Sequence, residues 1–99
     1  MQYRQGDVCL VPCKKVEGKK VEPVNGRVIL AEGEATGHFH AMSADTCAAY
    51  SVGKKMQLVV REETALTHDE HSTIQVSPDT YWVVRQREYS PKEIHRVID

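Results

Sequence analysis

Four of the five histidines fall in two close pairs, His38-Phe39-His40 and His68-Asp69-Glu70-His71. On an extended strand, side chains two residues apart project to one face, so the first pair can aim both imidazoles at a single point. Side chains three apart in a tight or helical turn meet in the same way. Brought together, the two pairs would supply three or four ring nitrogens. Glu70 or Asp69 would add a carboxylate, and Asp45 stands near the first pair in sequence. Imidazole with carboxylate suits a divalent transition metal such as zinc, nickel, iron, manganese or copper. The candidate metal ligands are therefore His38, His40, His68 and His71, with Asp45 and Glu70 as further donors.

The same residues support a metal-free alternative. Two neighbouring imidazoles titrate near neutral pH and can serve as general base and general acid. Phosphodiester or cyclic-phosphate cleavage would use them so, with arginine stabilising the charged transition state. Arg85 and Arg87 share one face of the last strand-like run, and the catalytic candidates in this reading are His38, His40, His68, His71 and Arg87. The plainer alternative puts His38 and His40 on a solvated strand face, His68 and His71 in an exposed loop, and the arginines in salt bridges beside Glu88. Local charge favours the metal. Residues 32 to 72 hold seven acidic side chains (Glu32, Glu34, Asp45, Glu62, Glu63, Asp69, Glu70) against Lys54, Lys55 and Arg61. Such a surround attracts cations and repels a phosphate backbone. No glycine-rich phosphate loop, Gly-x-Ser-x-Gly elbow or His-Glu-x-x-His segment is present.

The elements that must position these residues are strands. The chain has 99 residues, 40% hydrophobic and 27% charged, with a formal net charge of -1. One domain spanning 1–99 is expected at that length. Near-neutral charge argues against a nucleic-acid or membrane-surface binder acting through bulk charge. Val8 to Val11, Arg27 to Ala31, His38 to Met42, Cys47 to Val52, Met56 to Arg61, Ile74 to Val76 and Thr80 to Tyr89 have strand character. In the last of these, Tyr81 and Val83 oppose Trp82 and Val84. Leu66 to His71 is expected as a turn or short strand. Residues 13–26 form a long polar loop, a hairpin tip or mobile arm, closed by Pro23 and the Asn25-Gly26 turn pair. Ser90-Pro91-Lys92-Glu93 supplies a helix cap, so a short C-terminal helix is expected over 90–98. Many short strands with frequent turns predict an all-β fold, a small barrel or sandwich.

Cysteine usage and hydropathy bound the setting. Cys9 and Cys13 on one strand would lie about 13 Å apart, beyond disulfide reach, so the three thiols are expected to be reduced. That fits a cytoplasmic location, in a cell or during phage infection. No run approaches a membrane span, and Met1 to Cys13 lacks the apolar stretch of a signal peptide. The expected partner is a small molecule or another protein, with no nucleic acid and no membrane. Exposed strand edges favour pairing of two copies. A non-enzymatic interaction module gripping its partner with the 13–26 loop is a further alternative.

Two resemblances follow from the motifs. Gly33-Glu34-Ala35-Thr36-Gly37-His38-Phe39-His40, with Asp45 and Gly53 after it, resembles the first cupin motif. That resemblance implies His38 and His40 as metal ligands, with Asp45 replacing the usual Glu. Where the second cupin motif carries a Pro-x-Gly turn and a further His, this chain has Ser77-Pro78-Asp79-Thr80 and Val83, so His68 or His71 would supply the third ligand. A longer resemblance is to small bacterial and phage-encoded proteins with Gln5-Gly6-Asp7-Val8, Glu32-Gly33-Glu34-Ala35-Thr36-Gly37-His38-Phe39-His40 and Gln86-Arg87-Glu88-Tyr89. It implies a compact domain and no particular activity.

Overall fold

Tight glycine turns fold the first half of the chain into hairpins. In the computed structural model, which describes residues 2–32 and 39–85, β1 (Tyr3–Gln5) and β2 (Val8–Pro12) are joined by the two-residue loop Gly6-Asp7. Gly6 there has φ 59°. This left-handed conformation is the one a two-residue hairpin loop requires, and glycine adopts it without a Cβ clash. Asn25 (φ 52°) and Gly26 (φ 74°) close a second tight turn, in which Val24 and Arg27 exchange backbone hydrogen bonds of 2.8 and 3.0 Å. That is the turn the Asn-Gly pair predicts. Gly53 (φ 59°) starts the loop between β6 (Cys47–Val52) and β7 (Lys55–Val60).

The remaining strands are β3 (Lys19–Val21), β4 (Arg27–Glu32), β5 (Phe39–Ser43), β8 (Thr64–Leu66), β9 (Ile74–Val76) and β10 (Asp79–Arg85). Six strands form an antiparallel sheet in the order β1-β2-β10-β7-β6-β3. Two hairpins, β4-β5 and β8-β9, lie against its inner face, and Val28, Leu30, Met42, Leu66 and Val76 share one core with Val8, Leu10, Leu58, Tyr81 and Val83. The alternation expected in the last strand holds: Tyr81 and Val83 enter this core, whereas Val84 and Trp82 pack with Cys9 and Val11 on the other face.

The fold is all-β, but its sheet does not close into a barrel. Among the described residues, β1 and β3 end the six-stranded sheet without a ladder between them. The physical reason lies in these two strands. β3 is only three residues long and carries Lys19 and Lys20, both exposed, a composition that blunts an edge. β1 is joined to the β8-β9 layer by side chains instead of backbone pairing. Tyr3 Oη donates to Ser77 Oγ and accepts from the Ser77 amide, both at 3.1 Å. Gln5 makes the corresponding bonds at the other end of β1.

The strand β3 lies inside the segment 13–26 expected as a polar loop. It forms because its backbone pairs with β6, for which polar side chains suffice on an edge. Ahead of it, buried Gln57 holds the loop from below: its Oε1 accepts from the Glu17 amide at 2.8 Å, and its Nε2 donates to the Lys15 carbonyl at 2.8 Å. The Leu66 to His71 segment divides, with strand as far as Leu66 and loop beyond the Thr67 bridge. All three cysteines are free. Among the described residues no helix is long and apolar enough to cross a membrane. The expected helix at 90–98 lies outside the described residues.

Candidate functional site: a buried histidine and its neighbours

Strand pairing brings the two histidine segments together. Ala41 and Thr67 exchange backbone hydrogen bonds of 3.0 and 2.9 Å as an isolated antiparallel bridge. The next residues outward along that register are His40 and His68, so their side chains face each other across the two segments. Their ring centroids are 4.3 Å apart. On the other side of β5, the register against β4 shifts between Ile29 and Ala31, a bulge that sets Ala31 opposite His40. Bulges of this kind re-aim a side chain beside a site. His71 completes the group, with its ring centroid 4.7 Å from His68 and 5.9 Å from His40.

The three rings differ in surroundings. His40 is 1% exposed, His68 is half-buried and His71 is exposed. Gln5, itself buried, fixes the protonation of His40. Both hydrogens of its Nε2 are committed, to the Leu66 carbonyl at 2.8 Å and the Ser72 carbonyl at 2.9 Å. Its Oε1, 2.8 Å from His40 Nδ1, can therefore only accept. His40 must donate from Nδ1, which leaves the lone pair on Nε2. Opposite that nitrogen stands Asp7 Oδ1 at 3.8 Å, beyond hydrogen-bond distance. Burial, reinforced by His68, pushes the His40 pKa down to about 4 against the opposing pull of Asp7, and His71 and Arg85 lower it further. His40 is thus a neutral base at neutral pH, with Nδ1 anchored on Gln5 and Nε2 facing Asp7.

Asp7 is held from behind by Arg85, whose Nε and Nη2 reach the same oxygen, Oδ2, at 3.0 and 2.9 Å. Arg85, considered in sequence as a source of transition-state charge, is committed to this carboxylate. His68 Nδ1 accepts from the Glu70 amide at 3.0 Å, so the proton of its neutral ring is on Nε2. His71 lies over the Gly6 turn: a Cβ built on Gly6 would come within 2.6 Å of His71 Nε2. Gly6→Ala is therefore expected to displace the His71 ring and to lower stability by about 1–2 kcal/mol, mostly through the left-handed backbone. Urea unfolding and the His71 ring resonances check this, and an unchanged protein by both would be the contrary result.

Of the residues singled out in sequence, His40, His68 and His71 come together. Glu70 is exposed beside them and contributes its amide to His68. Asp45 does not join them. It lies in the turn after β5, at the opposite end of that strand from His40, where its amide bonds Ser43 Oγ and its carbonyl faces Arg61. Nearness in sequence misled here because a strand carries residues apart by about 3.3 Å each. His38 and Arg87 lie outside the described residues. As the side chains stand, no group of three or more His, Cys, Asp or Glu among the described residues is already set around one metal position.

The sequence reading missed Gln5, Gly6, Asp7 and the structural use of Arg85. Their signal was the Gln5-Gly6-Asp7-Val8 run, which carries a Gly-Asp hairpin loop between two strands. A family model described as a domain of unknown function (DUF8820) matches residues 4–86. The chain belongs to this family. The DUF8820 span takes in the Gln5-Gly6-Asp7 turn, His40, His68, His71 and Arg85, so the whole site lies within it. No curated protein and no solved structure matches the chain.

Proposed function

We propose that this DUF8820 protein is a transition-metal-binding β domain whose centre is His40 Nε2, joined by Asp7 Oδ1 and His71. The observation that carries the reading is the hydrogen bond from His40 Nδ1 to a Gln5 amide whose own donors are both used. Metal-bound histidines typically donate their second ring N–H in this way, which fixes the tautomer and directs the other nitrogen at the metal. A neutral Nε2 facing a carboxylate oxygen at 3.8 Å presents two electron-pair donors to the same space.

Ring spacing supports the same reading. Three imidazoles bound tetrahedrally through Nε2 at about 2.0–2.1 Å place their centroids about 5 Å apart, and the separations of 4.3, 4.7 and 5.9 Å bracket that value. Binding requires the exposed His71 ring to turn inward. His68 enters the ligand set only if its Nδ1 releases the Glu70 amide and takes up a proton. His40 itself is too buried to touch a substrate, which disfavours metal-free acid–base chemistry at this residue. Three free thiols fit the reducing cytoplasm that belongs to this reading.

The test is elemental analysis of purified protein, as isolated and after stripping and reloading with zinc, nickel, iron or manganese. Near-stoichiometric metal is expected in the wild type. In His71→Ala, whose exposed side chain is dispensable for the core, affinity is expected to fall about tenfold or more, with the melting temperature of the stripped protein little changed. Failure of all four metals to bind the wild type would sink the proposal.

A further inference from the structure

We propose that the groove between β5 and β8 is a binding site for a small planar carboxylate, held at one end by Arg27 and Ser43. It is independent of the metal-binding reading, because the groove and the histidines lie on opposite faces of β5. Val28 and Met42 are register partners and both enter the core, so the neighbouring pair Arg27 and Ser43 projects from the outer face, as does Ala41. His40, two residues from Met42, shares the inner face.

Pairing of β5 with β8 is limited to the Ala41–Thr67 bridge, and among the described residues no ladder continues it. A continued register would set Ser43 opposite Ala65. The strands part there instead and leave a groove of about 260 Å³, whose lining includes Gly26, Arg27, Ala41, Ser43, Ala65 and Thr67. That volume falls below the roughly 300–1,000 Å³ of drug-sized sites, so it suits a single ring with a few substituents. The small side chains of Ala41 and Ala65 leave room for a flat apolar body between the strands. Charge sets the head group. None of the lining residues is acidic, and among the described residues the Arg27 guanidinium makes no ion pair. Ser43 stands beside it as its cross-strand partner; its Oγ accepts from the Asp45 amide at 3.2 Å, which leaves the hydroxyl proton to donate. A planar fork of N–H donors with a hydroxyl next to it matches a carboxylate, and one guanidinium balances one negative charge. A phosphate dianion would keep a charge that nothing in the lining balances.

The experiment titrates isotope-labelled protein with benzoate, and with benzamide as its neutral counterpart, at constant ionic strength, following the backbone amides by NMR. Benzoate is expected to shift the amides of Ser43, Ala65 and Thr67 saturably, with a Kd on the order of 1 mM. Benzamide is expected to bind at least about tenfold more weakly, and Arg27→Gln to lose at least about tenfold in benzoate affinity. The Arg27 side chain is exposed, so its replacement is expected to leave the fold intact. Ala65→Leu keeps the charge but fills the groove, and is expected to abolish saturable binding. Absence of saturable shifts with benzoate in the wild type overturns the proposal, as does equal affinity for benzamide or an unchanged affinity in Arg27→Gln. Persistent binding in folded Ala65→Leu would trace to the exposed arginine alone and also overturns it. Should Ala65→Leu fail to fold, the wild type decides: nuclear Overhauser contacts from the benzoate ring to the Ala41 or Ala65 methyls support the groove, and their absence overturns it.

Discussion

Replacing Gln5 with leucine is expected to destabilise the protein by about 3 kcal/mol, one of the largest effects available from a single polar side chain here. The buried amide makes three hydrogen bonds, to the Leu66 and Ser72 carbonyls and with His40 Nδ1. Leucine matches the volume but leaves two carbonyls and a ring N–H without this partner. Each deserted buried group costs roughly 1–3 kcal/mol, reduced where water or small shifts can reach it. The loss is expected in the equilibrium midpoint of urea unfolding, along with faster hydrogen exchange in residues 66–73. Gln5→Glu gives an informative contrast. Its carboxylate still accepts from His40 Nδ1 but faces the two carbonyls without a donor, so it should raise the His40 pKa while also weakening the fold. A change below about 1 kcal/mol for leucine would mean that the amide does not join the loop to the sheet.

Acid should act through His40. In the folded protein its pKa is pushed down to about 4, against about 6.5 for an unperturbed histidine. Between those values the unfolded chain takes up a proton that the folded protein excludes, so stability rises with pH across the window. The His40 contribution is complete above pH 6.5 and is lost as pH falls toward 4. A shift of this size corresponds to about 3 kcal/mol at full strength. The groups facing the ring are Asp7, which favours its protonation, and His68, His71 and Arg85, which oppose it. Denaturant unfolding in the presence of a chelator at several pH values measures the trend. An NMR titration of the His40 ring isolates its source, and a midpoint near 6.5 would remove the effect.

The parts of this molecule legible in sequence are those written in neighbouring residues. Tyr81 to Val84 alternate and do form a strand with two distinct faces; Asn25-Gly26 predicts a turn and makes one. Two histidine pairs suggest convergence, and three of those histidines meet. Polar β3 gave no such signal, because a short edge strand needs backbone partners and little hydrophobicity. Gln5 was illegible for another reason. Its partners are Leu66, Ser72 and His40, far along the chain, and nothing local distinguishes a glutamine that will orient an imidazole from one that will face water. Arg85 likewise acquires its meaning only when β10 is placed beside β2. Asp45 shows the converse error, a residue near the histidines in sequence and carried away from them by its strand.

The position of β10 also governs when the site can come into being. This strand lies between β2 and β7, and its final residue, Arg85, pairs with Val8 near the start of the chain. During synthesis, β2 must therefore wait with an open edge until nearly the whole described sequence has been made. Such distant pairings carry a large closure entropy and make folding slow, while an exposed edge invites pairing with other chains. Asp7 meets Arg85 only at the end of that process. If a metal binds as proposed, an ion arriving earlier would encounter scattered histidines instead of an assembled site, so loading would follow folding and would not guide its first steps.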